Sequence, residues 1–229
     1  MNNLFNEYGR KARLFPALLC SLPFLLVKHF LIDYYFGTSL SNKLFAIIFE
    51  DISLIVVLMY LLTQINRFVS KKFFENKAKF PTTLMLLPSS KNLSDELRGE
   101  INKKVVEDFH ISLPTIADEK SNIENATMRT REITSLIIHK VGDGALLLQH
   151  NIEYGFMRNL IGGSVISVVI SLASIFIFQF VFKNSTAYVI SVILSIVYLL
   201  PIVFSRMILK NYSEEYAHIL FREYVGKNK

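Results

Sequence analysis

The hydrophobic positions of this chain gather into four long runs, at residues 14–32, 44–66, 160–182 and 187–205, with a polar middle at 67–159. Each run is close to the ~20 residues that a helix needs to cross a bilayer core. The last two contain no Asp, Glu, Lys, Arg or His. The first run holds Lys28 and His29 near its far end, and the second holds Glu50 and Asp51 near its start. Charges at the ends of spans can snorkel to an interface or face a cavity, whereas at the midplane they are costly. The pattern predicts an α-helical integral membrane protein with four transmembrane helices arranged as two hairpins. The implied organisation is an N-terminal amphipathic segment and first hairpin at 1–66, an inserted domain at 67–159, a second hairpin at 160–205 and a tail at 206–229. Pro16 is expected in the first turn of the first span, Pro23 to kink it and Pro201 to bend the fourth.

The polar middle has a weaker pattern, mainly helical with α/β possible. Residues 81–87, Pro-Thr-Thr-Leu-Met-Leu-Leu, read as a short strand-like run ended by Pro88. Asn92 or Ser94 can cap a helix with Leu93, Leu97, Ile101 and Val105 along one face. Thr115 with Asp118 three residues on marks another helix start. Ile116, Ile123, Ile133 and Ile137 are expected to supply apolar contacts, and Gly142-Asp143-Gly144 to break the chain. The tail mixes Tyr212, Tyr216, Ile219, Leu220 and Tyr224 with charges, as an interfacial or docking helix would.

Two polar stripes lie within the apolar runs. Glu50, Ser53, Val57, Tyr60 and Gln64 fall within about 80° on a helical wheel. With Asp51 beside Glu50 they are candidates to line an ion path, the acids forming a ring at its mouth; the bland reading is that they cap the helix and bond its neighbours. Ser164, Ser167, Ser171 and Ser174 form a second stripe, just after Gly162-Gly163, whose default role is a helix-packing seam. Between the polar middle and the third run stands Asn151-Ile-Glu-Tyr-Gly-Phe-Met-Arg-Asn-Leu160, where Tyr154 and Arg158 are placed to couple the two regions.

Charge fixes orientation. Arg10, Lys11, Arg13, Arg67, Lys71, Lys72, Arg158, Arg206 and Lys210 fall on one side of the predicted spans, and Lys28, Lys43 and Lys183 on the other. Both termini and residues 67–159 are therefore expected on the cytoplasmic side of a bacterial inner membrane. The net charge of +6 is mostly this asymmetry, because 67–159 holds 14 Lys or Arg against 12 Asp or Glu, and a general nucleic-acid role is not supported. Basic residues there that could hold anionic lipid or a phosphate-bearing ligand are Lys71, Lys72, Lys77, Lys79, Lys103, Lys104, Arg129 and Arg131, with Phe68, Phe73, Phe74 and Phe80 interleaved among the first group. The pairs Lys103-Lys104 and Arg129 with Arg131 read as exposed.

No Gly-rich phosphate loop, cysteine pair or metal-spaced histidine cluster occurs, and Cys20 stands alone. No catalytic, metal or cofactor residues are assigned, and an enzyme is not expected. Function has to come from architecture and from one resemblance. Tyr8-Gly-Arg-Lys-Ala-Arg-Leu-Phe-Pro-Ala-Leu-Leu19, Pro81-Thr-Thr83, Leu113-Pro-Thr115 and the stretch 151–160 together resemble an uncharacterised bacterial four-span membrane-protein family. Members often carry an arginine where this chain has Met157, so no paired-arginine role is carried to that position.

The layout is also similar to that of phage-defence membrane effectors such as the one in the Hailong system. There an oligomeric channel carries a crown that binds a DNA oligomer made by a partner nucleotidyltransferase. The resemblance implies a homo-oligomeric ion channel of an antiphage defence system, gated by a nucleotide or single-stranded DNA oligomer on its cytoplasmic domain. The alternative expectation is a non-conducting membrane scaffold or sensor that recruits a cytoplasmic partner.

Overall fold

The first helix starts before the first apolar run does. Asn6 has an extended backbone, and its side chain accepts from Gly9 N at 2.6 Å, satisfying one of the free N–H groups of a new helix. The computed structural model, which describes residues 6–32, 34, 52–74, 80–142 and 144–226, continues this helix, α1, over Glu7–Leu31. The further helices among the described residues are α2 (Ile52–Phe73), α3 (Pro81–Leu84), α4 (Asp95–Phe109), α5 (Ile116–Ser121), α6 (Ile123–Val141), α7 (Ala145–Phe176), α8 (Ser185–Val203) and α9 (Ser205–Gly226). No strand occurs among the described residues.

Among the described residues three helices are long and apolar enough to cross a membrane: Glu7–Leu31, Leu146–Val181 and Ser185–Val203. Helical structure outruns the apolar runs expected at 14–32 and 160–182, because helix formation needs no apolar face once a cap or a preceding turn has nucleated it. Residues 44–51 of the expected second span lie outside the described residues, and its remainder belongs to α2. Pro16 falls in the first turn of the α-helical segment Phe15–Cys20, which within α1 follows a wider π-helical turn at Arg10–Leu14. Pro23 does interrupt the helix: regular structure stops at Ser21, whose N–H bonds Leu18 O at 3.1 Å, and resumes at Leu22–Val27.

The chain divides into two compact units, Met1–Glu75 with Gly155–Ile208, and Asn76–Tyr154 with Leu209–Lys229. From Leu209 on, the expected tail groups with the second unit. Ala217, Leu220, Phe221 and Tyr224 of α9 are buried with Ile101 and Val105 of α4, Ile133 and Ile137 of α6, and Met85 and Leu86. The strand-like reading of 81–87 is corrected. Pro81 occupies the first helical position, the N–H groups of Thr83 and Leu84 bond the Phe80 carbonyl at 2.9 and 3.0 Å, and Pro81–Leu84 folds as one helical turn, with a turn over Met85 to Leu87 after it. A continuous apolar run has no period, so it could not separate strand from helix.

Caps set the helix boundaries of this unit. Ser94 accepts from Leu97 N at 3.2 Å, Thr115 and Asp118 form a reciprocal capping box, and Asn122 accepts from Asn125 N at 2.9 Å. Gly142, at φ 67°, ends α6, which is the left-handed region that favours glycine. The expected apolar roles of Ile116 and Ile123 are not met, since both are exposed while Ile133 and Ile137 are buried. Each is the first residue of its helix, beyond the turn that reaches the core.

Candidate functional site

The first unit is held by an interface in which two prolines create hydrogen-bond acceptors and other helices supply the donors. Proline carries no N–H, so the carbonyl four residues before it loses its usual helical partner. For Pro16 that carbonyl belongs to Ala12, and it accepts the side-chain amide of Asn159 at 2.6 Å. For Pro23 it belongs to Leu19, and it accepts the Tyr198 hydroxyl. Phe24 N turns to Ser21 O at 3.0 Å, and the Cys20 carbonyl accepts the Ser167 hydroxyl at 2.8 Å. Three carbonyls of α1 are therefore satisfied by α7 and α8. Membrane helices accommodate prolines by this kind of substitution, because an unpaired carbonyl in hydrocarbon is costly.

The serine stripe of α7 faces this interface. Ser164, Ser167, Ser171 and Ser174 are at most 2% exposed, and Ser164 and Ser174 return their hydroxyls to Leu160 O and Ile170 O at 2.7 and 2.8 Å. On α8, Ser191 and Ser195 do the same to Ala187 O and Ser191 O at 2.7 and 2.9 Å. Gly162 and Gly163 lie against α2 and α1. A Cβ at Gly163 would stand 2.6 Å from Cys20 Sγ and 2.7 Å from Asn66 Nδ2, and one at Gly162 would strike the Asn66 carbonyl. Gly155 is packed likewise, with room for no side chain beside the Tyr8 hydroxyl and Ala12.

The other stripe faces outward. On α2, Val57 and Tyr60 are half exposed and Gln64 partly so, while Thr63, Asn66 and Ser70 are buried. Glu50 and Asp51 lie outside the described residues, as does the side chain of Ser53. Tyr154 and Arg158 are both partly buried on α7, which passes through Gly155 and Gly162-Gly163 without a break.

The expected phosphate-binding residues are divided between the two units. Lys77 and Lys79 lie outside the described residues; Lys71 is partly buried, and Lys72 is exposed over the rings of Phe68 and Phe73, 5.7 and 5.9 Å from their centroids. Arg129 bonds Ser112 O at 3.2 Å and stands 3.8 Å from Asp118. Lys103 and Arg131 are exposed, on α4 and α6. Lys104, expected to be exposed, is only 7% so. Its ammonium lies 5.1 Å from the centre of the Tyr224 ring and reaches Val225 O at 3.5 Å, complementing the C-terminal end of α9. No family model, curated protein or solved structure matches this chain. Among the described residues no group of three His, Cys, Asp or Glu side chains is placed to hold a metal ion.

Asp108 completes the docking of α9. It accepts from the Tyr224 hydroxyl at 3.0 Å and pairs with Lys140 at 3.2 Å. Burial pushes the carboxyl up, but the bonds from Lys140 and Tyr224 and the charges of Lys140 and Lys104 prevail and hold it below its ordinary value. The Tyr224 hydroxyl is pushed well above the phenol range by burial, then by Asp108 and Glu107. Asp108 thus contributes stability that is present above the ordinary carboxylate pKa and lost as pH falls through its lowered one. Tyr224 contributes stability that is present below pH ~10 and lost as pH rises through its raised value. Hydrogen exchange of α9 should accordingly be slowest, after correction for intrinsic rates, between about pH 5 and 9. Protection that is unchanged at pH ~3 would remove Asp108 from the docking.

Proposed function

We propose that this chain is the protomer of a homo-oligomeric effector of the bacterial inner membrane, with both termini and the second unit cytoplasmic, that conducts ions when that unit binds a ligand. The observation that carries the reading is the division between the two polar stripes. The serines of α7 are buried inside the unit, whereas Val57, Tyr60 and Gln64 of α2 remain on its outer side and available to a shared axis. Large apolar side chains on the outer faces of α1, α7 and α8, such as Phe24, Val169, Phe176 and Ile196, suit lipid or neighbouring copies. Glu50 and Asp51, one turn or less before α2, would attract cations to the mouth of such a path.

The ligand proposed for the second unit is a nucleotide or short DNA oligomer made by a partner nucleotidyltransferase, with Lys103 and Arg131 as exposed phosphate contacts. Its support is the similarity of layout to phage-defence effectors. An enzymatic role is not proposed. A second reading, a non-conducting scaffold that recruits a cytoplasmic partner, is favoured by the exposed Ile116, Ile123 and Met128 of the second unit.

Conductance separates the two. Glu50→Ala with Gln64→Ala should reduce ligand-evoked cation current several-fold in proteoliposomes while leaving the oligomer intact on size exclusion. Unchanged current, or no current from inserted wild-type protein with any ligand, would leave the scaffold.

A further inference from the structure

Charge is distributed unevenly in the first unit. Its described residues hold ten lysines and arginines and a single acid, Glu7. That acid is already engaged, by Lys11 at 2.8 Å. Most of the cations are partly or fully exposed. Arg13 is not: it is 8% exposed, its Nε is buried without an acceptor, and the contact its guanidinium makes is with the face of the Tyr8 ring, 5.1 Å from the centroid. A cation–π contact offsets part of the desolvation of a guanidinium but does not neutralise it. Among the described residues no carboxylate answers this buried arginine, and a guanidinium so placed favours an anion beside it.

Position tells which anion. Arg13 lies between exposed Arg10 and Lys11 and the first strongly apolar turn, Phe15 to Leu19, where Phe15, Leu18 and Leu19 are exposed. On a chain placed in a bilayer this is the level of the headgroups, and the aromatic Tyr8 beside it suits the same depth. The planar guanidinium matches two oxygens of one phosphate.

We propose that Arg13 is the anchor of a binding site for the phosphate of an anionic phospholipid, held against Tyr8 at the cytoplasmic end of α1. The site rests on the membrane reading above and is independent of channel activity. The lipid supplies the counter-charge that the described residues around Arg13 do not, and so ties the start of α1 to the inner leaflet.

The test is the melting temperature of the purified full-length protein in detergent, with phosphatidylglycerol, phosphatidylcholine or inorganic phosphate added. Phosphatidylglycerol should raise the melting temperature of wild type and of Arg10→Gln by several degrees, and that of Arg13→Gln by at most a third as much, with Arg13→Lys between them. An equal shift in Arg13→Gln overturns the site. So does an equal shift with phosphatidylcholine, which would make net charge irrelevant, and so does an Arg13-dependent shift with inorganic phosphate alone, which would make the source soluble. Should Arg13→Gln fail to fold, native mass spectrometry of wild type decides between retained phosphatidylglycerol and none. Extraction of the expressed chain from membranes by alkaline carbonate is a separate outcome: it removes the membrane reading, whereas a retained chain with an unaltered lipid shift removes only the headgroup site.

Discussion

Gly162→Leu should melt far below wild type when the detergent-solubilised protein is heated, or fail to accumulate at all. A Cβ at this position would strike the carbonyl oxygen of Asn66 and stand 2.8 Å from Ser70 Cβ and 2.9 Å from Ser70 N. Two of these three obstacles are backbone atoms inside a helix, which cannot swing aside as a side-chain tip can. Leucine at this position therefore has to push α2 away from α7. Overpacking of this kind costs about 1–3 kcal/mol and sometimes more. The three side-chain bonds to α1, at about 0.6 kcal/mol each in a membrane protein, amount to roughly 2 kcal/mol and offer little compensation. Gly99→Ala is the matched control. It lies in the interior of α4 with nothing within 4 Å of a new Cβ, so it should be neutral or stabilising by up to about 1 kcal/mol. A Gly162→Leu protein that melts with wild type would mean that the two helices are not in this contact.

Tyr224→Ala carries the other large effect. The side chain is 1% exposed in the core of the second unit, and its removal should cost about 3–5 kcal/mol. It would also uncover Lys104, whose ammonium then loses its aromatic face. Tyr224→Phe keeps the ring over Lys104 and gives up only the bond to Asp108, worth about 1.5–3 kcal/mol because its acceptor is charged. Limited proteolysis of the full-length protein reads the difference. Cleavage within α9 should be fast in the alanine variant, modestly increased in the phenylalanine variant and slow in wild type. Equal protection in all three would show that α9 is held by other contacts.

How much of this was legible depended on the range of the signal. The two uncharged runs at 160–182 and 187–205 announced long helices, because no soluble role needs such composition. Thr115 with Asp118, and Gly142, were readable because caps are local chemistry. Residues 81–87 were not, since an unbroken apolar run lacks the alternation or the 3.6-residue spacing that distinguishes the two structures. Lys104 was hidden by the habit of reading lysine pairs as surface. Yet Ile101, Lys104, Val105 and Asp108 stand at i, i+3, i+4 and i+7, one face of α4, and that spacing places the lysine beside buried neighbours.

The site residues show the same division. The stripes on α2 and α7 have identical wheel geometry, and composition alone could not tell which faces inward. Close approach decides it: the serine stripe follows Gly162-Gly163, where backbone meets α2, and the α2 stripe has no such pair. Asn159 and Tyr198 went unrecognised as donors. Their partners are carbonyls, which every residue has, and only the positions of Pro16 and Pro23, four residues downstream of Ala12 and Leu19, single those carbonyls out.

Those prolines also bear on the order in which the chain is made. Asn159 donates to Ala12 across 147 residues, and Tyr198 to Leu19 across 179. A ribosome adding ~5–20 residues per second delivers these donors many seconds after the first helix has left the exit tunnel. In the bilayer proposed for this protein, α1 would spend that interval with open carbonyls, competing for water, lipid or insertase contacts until the second hairpin arrives. A helix made early is thus completed late, and the biogenesis of this chain hinges on how long an unfinished helix can wait.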